Sequence, residues 1–276
     1  MKTIKICVAI YTLTAIGLIS CGPIEDRKDM GPSLPASSLK FSVTQQAGFD
    51  NKVFLKNETP GSIAYWDYVL NTTTKNQDTV VFPFPGDYWI KFTAYTSSGP
   101  SVKDSVKITV TSLCNSCFKS NMLRALTNLA GGRTWTFNLS DPMGFYGPGY
   151  VTHTGDGNDW NWWPGSCQSW SDFGCGTYWG KMTFDLSTGY NYTVTQHTSP
   201  TDSITTRGSF VLDSVNSVLK FVNAKVLYSN ITYNNGTYAD LNNVHIFQLT
   251  NTNLDLGITN VASRGSNYRY NYIPKN

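Results

Sequence analysis

Histidine is scarce in this chain: three residues (His153, His197, His245), none with a cysteine or carboxylate partner at motif spacing. No His-Glu-x-x-His, Gly-x-Ser-x-Gly or phosphate-loop pattern is present, so the common metalloprotease, hydrolase and nucleotide signatures are absent. From Arg133 onward there is no glutamate. A glycosidase built there would have to use aspartate pairs, one of them held in a site that raises its pKa. Charge of either sign is sparse, with 21 Lys and Arg against 18 Asp and Glu. Such a balance leaves no electrostatic footprint for nucleic acid. Apolar runs long enough to cross a bilayer are missing, and helical periodicity is nearly so.

The one sustained apolar run is at the amino terminus. Met1-Lys-Thr-Ile-Lys5 is basic, and Ile6 to Ile19 is uncharged and mostly apolar, too short for a comfortable span and flanked like a signal peptide. Leu18-Ile19-Ser20-Cys21 resembles a bacterial lipobox, which implies cleavage before Cys21 and lipidation of that thiol. Glu25-Asp26 resembles the acidic tag that sends Bacteroidetes lipoproteins to the outer face of the outer membrane. Loss of residues 1–20 removes Lys2 and Lys5 and leaves a charge near +1. Cys114, Cys117, Cys167 and Cys175 then remain, an even number suited to an oxidising compartment. Pairing within Cys114/Cys117 and within Cys167/Cys175, crossed pairing, and a four-cysteine zinc site are the alternatives; the spacing suits zinc poorly.

What the chain has in abundance is aromatic residues, concentrated between Phe145 and Gly180. Five of the eight tryptophans lie there (Trp160, Trp162, Trp163, Trp170, Trp179), with Tyr146, Tyr150, Phe173 and Tyr178 among glycines and prolines. No apolar period runs through the stretch, so it reads as one long loop, and a loop of this length that is rich in aromatics is expected to be ordered and functional. An indole face matches the C–H face of a sugar ring, and nearby Asp159, Asn161 and Gln168 could take hydroxyls. The expected glycan-binding set is Trp160, Trp162, Trp163, Trp170, Trp179, Tyr146, Tyr178, Asp159, Asn161 and Gln168. The bland alternative is a mini-core that pins the loop. Asp156-Gly-Asn158-Asp159 offers oxygen ligands of the kind calcium takes, with a solvated loop as the other reading.

The rest divides into segments. Residues 21–38 form a Pro- and Ser-rich tether. Short alternating strands at Leu39–Val43, Lys52–Lys56, Ile63–Val69, Thr79–Phe82, Tyr88–Thr96 and Ser105–Thr111 predict a β-sandwich over 39–111. Residues 112–132 hold a cysteine pair and a short helix, Ser120 to Leu129, with Met122, Leu123, Leu126 and Leu129 on one stripe. Residues 133–276 read as a second all-β domain, a sandwich or jelly roll, with strands at Arg133–Leu139, Lys181–Leu186, Tyr190–Gln196, Ser209–Leu212, Val218–Val222, Val244–Leu249 and Asn253–Gly257. A small lipocalin-like barrel is the rival architecture.

Two resemblances accompany this reading. Asn57-Glu-Thr59, Tyr65-Trp66-Asp67-Tyr68, Pro85-Gly86-Asp87-Tyr88 and Val106-Lys-Ile-Thr-Val110 resemble the strands and turns of the Ig-like PKD domains. Val69-Leu70-Asn71-Thr72 stands where that family has Gly-Asp-Gly. Trp66 is expected in the core and the domain is expected to be a spacer. Further on, Leu129-Ala-Gly-Gly-Arg-Thr-Trp135, Tyr146-Gly-Pro-Gly149, Trp162-Trp163 and Met182-Thr-Phe184 resemble the second domain of surface glycan-binding lipoproteins found beside SusC/SusD-type importers in gut Bacteroidetes. That resemblance implies a lipid-anchored, outer-membrane, non-catalytic binder of a polysaccharide or oligosaccharide, working with a SusC/SusD-type import complex and without a cofactor. A hydrolase or lyase of the same glycan and a surface adhesin are the alternatives.

Overall fold

A computed structural model describes residues 30–162, 178–229, 240–260 and 267–275. Cys21, Trp163, Cys167, Gln168, Trp170 and Cys175 lie outside the described residues.

Every strand expected between residues 39 and 111 is present: β1 (Phe41–Gln46), β2 (Phe49–Asn57), β3 (Ile63–Asp67), β5 (Gln77–Val81), β6 (Gly86–Thr96) and β8 (Asp104–Val110), with the short pieces β4 (Thr72–Thr73) and β7 (Gly99–Pro100). They form two sheets, β1-β2-β5 and β4-β3-β6-β7, with β8 also paired to β6. Alternation sends Val53 and Leu55, Ala64 and Trp66, Ile90 and Phe92, Ile108 and Val110 into one shared core. Trp66 is fully buried, as expected, and donates its Nε1 hydrogen to the Lys75 carbonyl at 3.1 Å.

At the junction Cys114 and Cys117 form a disulfide, Cα to Cα 5.4 Å, which settles their pairing and removes the four-cysteine zinc reading. The helix α1 spans Asn121–Thr127. Ser120 caps its start by accepting a hydrogen bond from the Leu123 amide, and Asn128 in the left-handed region ends it, short of the expected Leu129.

The second domain is neither a sandwich nor a jelly roll. Its strands are β9 (Arg133–Phe137), β10 (Met143–Tyr146), β11 (Asn161–Trp162), β12 (Gly180–Asp185), β13 (Asn191–His197), β14 (Ser203–Asp213), β15 (Val218–Val222), β16 (Asn243–Leu249), β17 (Leu254–Ile258) and β18 (Asn267–Pro274). From β12 to β18 each pairs antiparallel with its sequence neighbours, and β18 returns to β9 through Tyr272↔Phe137 and Pro274↔Trp135. The result is a closed eight-stranded up-and-down barrel, the rival architecture of the sequence reading. Closure depends on β18, which the sequence reading left unassigned although Tyr268, Tyr270 and Tyr272 alternate with Asn267, Arg269 and Asn271 as a half-buried strand does.

The barrel is lined by large apolar and aromatic side chains, among them Trp135, Phe137, Phe184, Tyr192, Phe210, Phe221, Leu256, Tyr270 and Tyr272. Outward positions such as Lys181, Thr193, Arg207 and Lys220 are polar. That is the inverse of a membrane-spanning barrel, which is apolar outside. Turns 186–190, 214–217 and 250–253 close one end, where α1 packs: Trp135 Nε1 donates to the Leu126 carbonyl at 3.0 Å and Arg133 donates to the Ala125 carbonyl at 2.7 Å.

The other end, the rim, is closed by the chain itself. After β15 the backbone crosses the barrel against Gly208, where a Cβ would lie 2.2 Å from the Val222 carbonyl oxygen, so only glycine permits the crossing. The segment 224–229 then seals the interior. Tyr192 donates to the Lys225 carbonyl at 2.8 Å and Tyr272 to the Leu227 carbonyl. The Gln196 amide donates to the Tyr228 carbonyl at 2.8 Å and accepts from its amide at 3.1 Å. Val226 and Leu227 are fully buried beneath. The interior is thus a packed core rather than an open cup.

Candidate functional site

The stretch from Phe145 to Gly180 is not one loop. β10 continues the course of β9 along the edge of β18, with Met143↔Tyr270 and Tyr146↔Asn267. It then pairs with β11 instead of β12, through Phe145↔Trp162 and Tyr146↔Asn161. Backbone bonds from Gly147 to the Trp160 carbonyl and from Gly149 to the Asn158 carbonyl, both 2.8 Å, extend this hairpin beyond the barrel wall. Glycine is required at 147, since a Cβ there would sit 2.2 Å from the Asn158 carbonyl oxygen.

Alternation along the hairpin sorts its side chains into two faces. Phe145, Trp160 and Trp162 share the face that continues the barrel lining at Tyr268. Trp162 stacks on Phe145, ring centroids 5.6 Å apart and planes 16° apart, which fixes the orientation of the indole. Trp160 and Trp162 remain 39% and 49% exposed. Two neighbouring indoles on one strand face, one of them stacked from behind, make a rigid apolar surface at the rim.

The opposite face departs from expectation. Tyr146 is buried, its ring edge-on to Phe247 at 5.0 Å, and burial pushes its phenol well up from the ordinary value. At 1% exposure it anchors the hairpin and lies off the exposed indole face. Asn161 pairs across from Tyr146 and so, with half-buried Asp159, lies on the face away from the two indoles. Neither can supply hydroxyl partners to that surface. Beneath Tyr146 and Phe247, Arg269 forms a two-pronged salt bridge with Asp255 on the outer wall of β17 and β18. Burial raises the Asp255 carboxyl against the lowering by Arg269.

The remaining expected residues are scattered. Trp179 is half-buried and packs against the barrel core. Tyr178 is exposed but sits beside β13, edge-on to His197 at 5.0 Å and accepting from Lys275 Nζ at 2.6 Å. Trp163, Trp170 and Gln168 fall outside the described residues. In the loop considered for calcium, Asp156 Oδ1 accepts from the Thr154 hydroxyl at 2.6 Å and the Asn158 amide at 2.9 Å. The Thr154 bond, with those from Asn158, holds this carboxyl at about 2. One of its oxygens is thereby spent on turn geometry. Among the described residues no group of three His, Cys, Asp or Glu side chains gathers as metal ligands.

A concave feature escaped the sequence reading altogether. A cleft of about 480 Å³ lies at the rim, on the far side of the barrel from the hairpin, between β13, β14 and the crossing segment. Its residues come from four separate stretches of chain, so no local pattern announces it.

No protein-family model matches this chain, and no curated protein matches it significantly.

Proposed function

We propose that this chain is a lipid-anchored surface protein that binds a polysaccharide or oligosaccharide without chemistry, through an aromatic face at the rim of its barrel. The observation that carries the reading is the pair Trp160 and Trp162, adjacent on one strand face, exposed, with Trp162 stacked on Phe145. Two neighbouring indoles that stay 39% and 49% exposed form an apolar patch of the kind that marks a binding surface. Stacking on a sugar would cost little ordering, because the hairpin is fixed by its backbone ladder and by Tyr146. Covering most of one indole contributes on the order of 2–4 kcal/mol gross. Two such faces suit micromolar to millimolar capture, which fits a protein that holds a polymer and passes it to a SusC/SusD-type importer.

Residues 39–111 serve in this reading as an Ig-like spacer of the PKD type. Support comes from the division into β1-β2-β5 and β4-β3-β6-β8, from the buried Trp66, and from Tyr88, which donates to the Phe84 carbonyl at 2.9 Å as β6 begins. The amino-terminal lipobox resemblance at Cys21 supplies the anchor, facing outward on the outer membrane.

The test is affinity gel electrophoresis of residues 22–276 against plant, fungal and host polysaccharides, with a reducing-end assay on each ligand found. Trp160→Ala and Trp162→Ala together should weaken retention at least about tenfold, by the loss of one or more stacking contacts, with the melting temperature unchanged. Retention that survives the double substitution would move the site elsewhere. New reducing ends would replace the binding role with a catalytic one.

A further inference from the structure

We propose that the cleft between β13, β14 and the segment 223–228 is a second saccharide subsite, which takes a single sugar unit and favours one bearing a carboxylate. This rests on the reading of the chain as a glycan binder.

The cleft is built rather than incidental. One wall is the inner face of the β13–β14 hairpin, carrying Val194, Gln196, Ile204 and Thr206. Ile204 pairs with Gln196 on the lining side of the sheet, yet it is 61% exposed because the crossing at Gly208 leaves the hairpin above it uncovered. The facing wall is the crossing segment with Asn223, Ala224, Lys225 and Val226. Its position is fixed by the bonds from Tyr192 to the Lys225 carbonyl and from Gln196 to Tyr228, and by the Val226 amide, which donates to the Leu241 carbonyl at 2.9 Å. A wall held at these points is present before any ligand arrives, which lowers the cost of binding.

Its chemistry specifies the ligand. The floor is aliphatic: Val194, Ile204, Ala224 and Val226. Around it, among the described residues, the side chains of Thr198, Thr206, Asn223, Lys225 and Asn242 have no hydrogen-bond partner. Hydroxyls and amides that both donate and accept suit a ring carrying several hydroxyl groups. The lining residues include no carboxylate, and Lys225 is the one charged residue among them, which suits a negative group on that ring. An aliphatic floor, neutral dual-role polar groups and a single cation together describe a uronate better than a nucleotide or a fatty acid. The volume falls in the range of small-molecule sites.

The strand order places β14 across the barrel from β18. The cleft and the Trp160–Trp162 face therefore occupy opposite sides of one rim, and a glycan chain lying across the mouth would meet both.

The test uses residues 22–276 with D-glucuronate, D-galacturonate, D-glucose and D-galactose, followed by ligand-observed saturation-transfer NMR and titration. The uronates should bind, with their neutral parents about tenfold weaker, the scale of one charge-assisted hydrogen bond. Ile204→Trp fills the cleft from an exposed position and should abolish the preference for uronates. Lys225→Gln should bring the uronates down to the neutral level. Failure of all four sugars to bind, or a uronate preference that survives Ile204→Trp, overturns the cleft. If polymers are still retained through the tryptophans in that case, the proposed function stands and the subsite alone falls. If uronates bind in the cleft while no polymer is retained, the subsite stands and the aromatic face loses its glycan role.

Discussion

His245 illustrates how a single side chain reports its surroundings. It lies on the outer face of β16, and its Nδ1 is buried without a hydrogen-bond partner. Burial lowers its pKa from the ordinary 6.5. A base whose folded pKa is depressed contributes no penalty above its unfolded value and destabilises the fold as pH falls, since the unfolded chain takes the proton more readily. Stability should therefore decline as the pH is lowered through about 6.5 toward the folded value. His245→Gln should flatten that part of the profile, which urea titrations at pH 7.5 and 5.5 would measure. An equal decline in both proteins would show that other groups govern it. The same residue scale explains the misplaced site residues. Tyr146, Asn161 and Asp159 share the aromatic stretch with Trp160 and Trp162, but alternation sends them to the other face of the hairpin.

Among the elements, α1 and the strand after it carry the clearest consequence. The helix has seven residues, too short to hold itself together in water. It persists because Leu123 and Leu126 are buried against the barrel and because Trp135 is bonded to the Leu126 carbonyl. Trp135 is itself fully buried at the closed end. Trp135→Ala should cost about 3–5 kcal/mol, the range for large aromatic truncations in a core, read as a lower denaturation midpoint with loss of helical signal. Trp135→Phe removes the indole hydrogen bond and part of the volume and should cost less. A small loss in both would mean that α1 is not what seals that end. The helix was legible because Met122, Leu123, Leu126 and Leu129 fall on one stripe at helical spacing. β10 and β11 were not legible, because four- and two-residue strands among glycines carry too few positions to set a period.

At the scale of the molecule the described residues form two cores, one shared by β1 to β8 and one within the barrel. Their junction is aromatic: Phe84 lies 5.4 Å from Phe118 and 5.6 Å from Tyr190, ring to ring. Asn51 Nδ2 donates to the carbonyls of Phe82 and Ser112, at 2.8 and 2.9 Å, and so ties the first core to the linker. Because the barrel draws its interior from its own strands, residues 112–276 should fold alone, with near-UV circular dichroism like the barrel's share of the full spectrum. Exposure of Phe118 and Tyr190 should lower the melting temperature by a few degrees, the scale of about 1–2 kcal/mol in a domain of this size. An aggregated or molten fragment would show that the first domain is part of the barrel's folding unit.

The amino-acid sequence by itself determined the all-β class, most strand positions, the buried Trp66 and the stretch that holds the two exposed indoles. All of these depend on alternation, turn residues and composition, which act over a few neighbouring residues. Only the tertiary structure decided that the second domain closes into a barrel, because closure rests on β18 meeting β9 across more than a hundred residues of chain. It also decided which aromatics stay exposed at the rim and which are anchors, since each side chain's face depends on a pairing partner the local pattern does not name. The rim cleft belongs wholly to this second kind. Its walls meet because Gly208 lets the chain cross the barrel and buried tyrosines hold that crossing in place, a contact between segments that share no local signal.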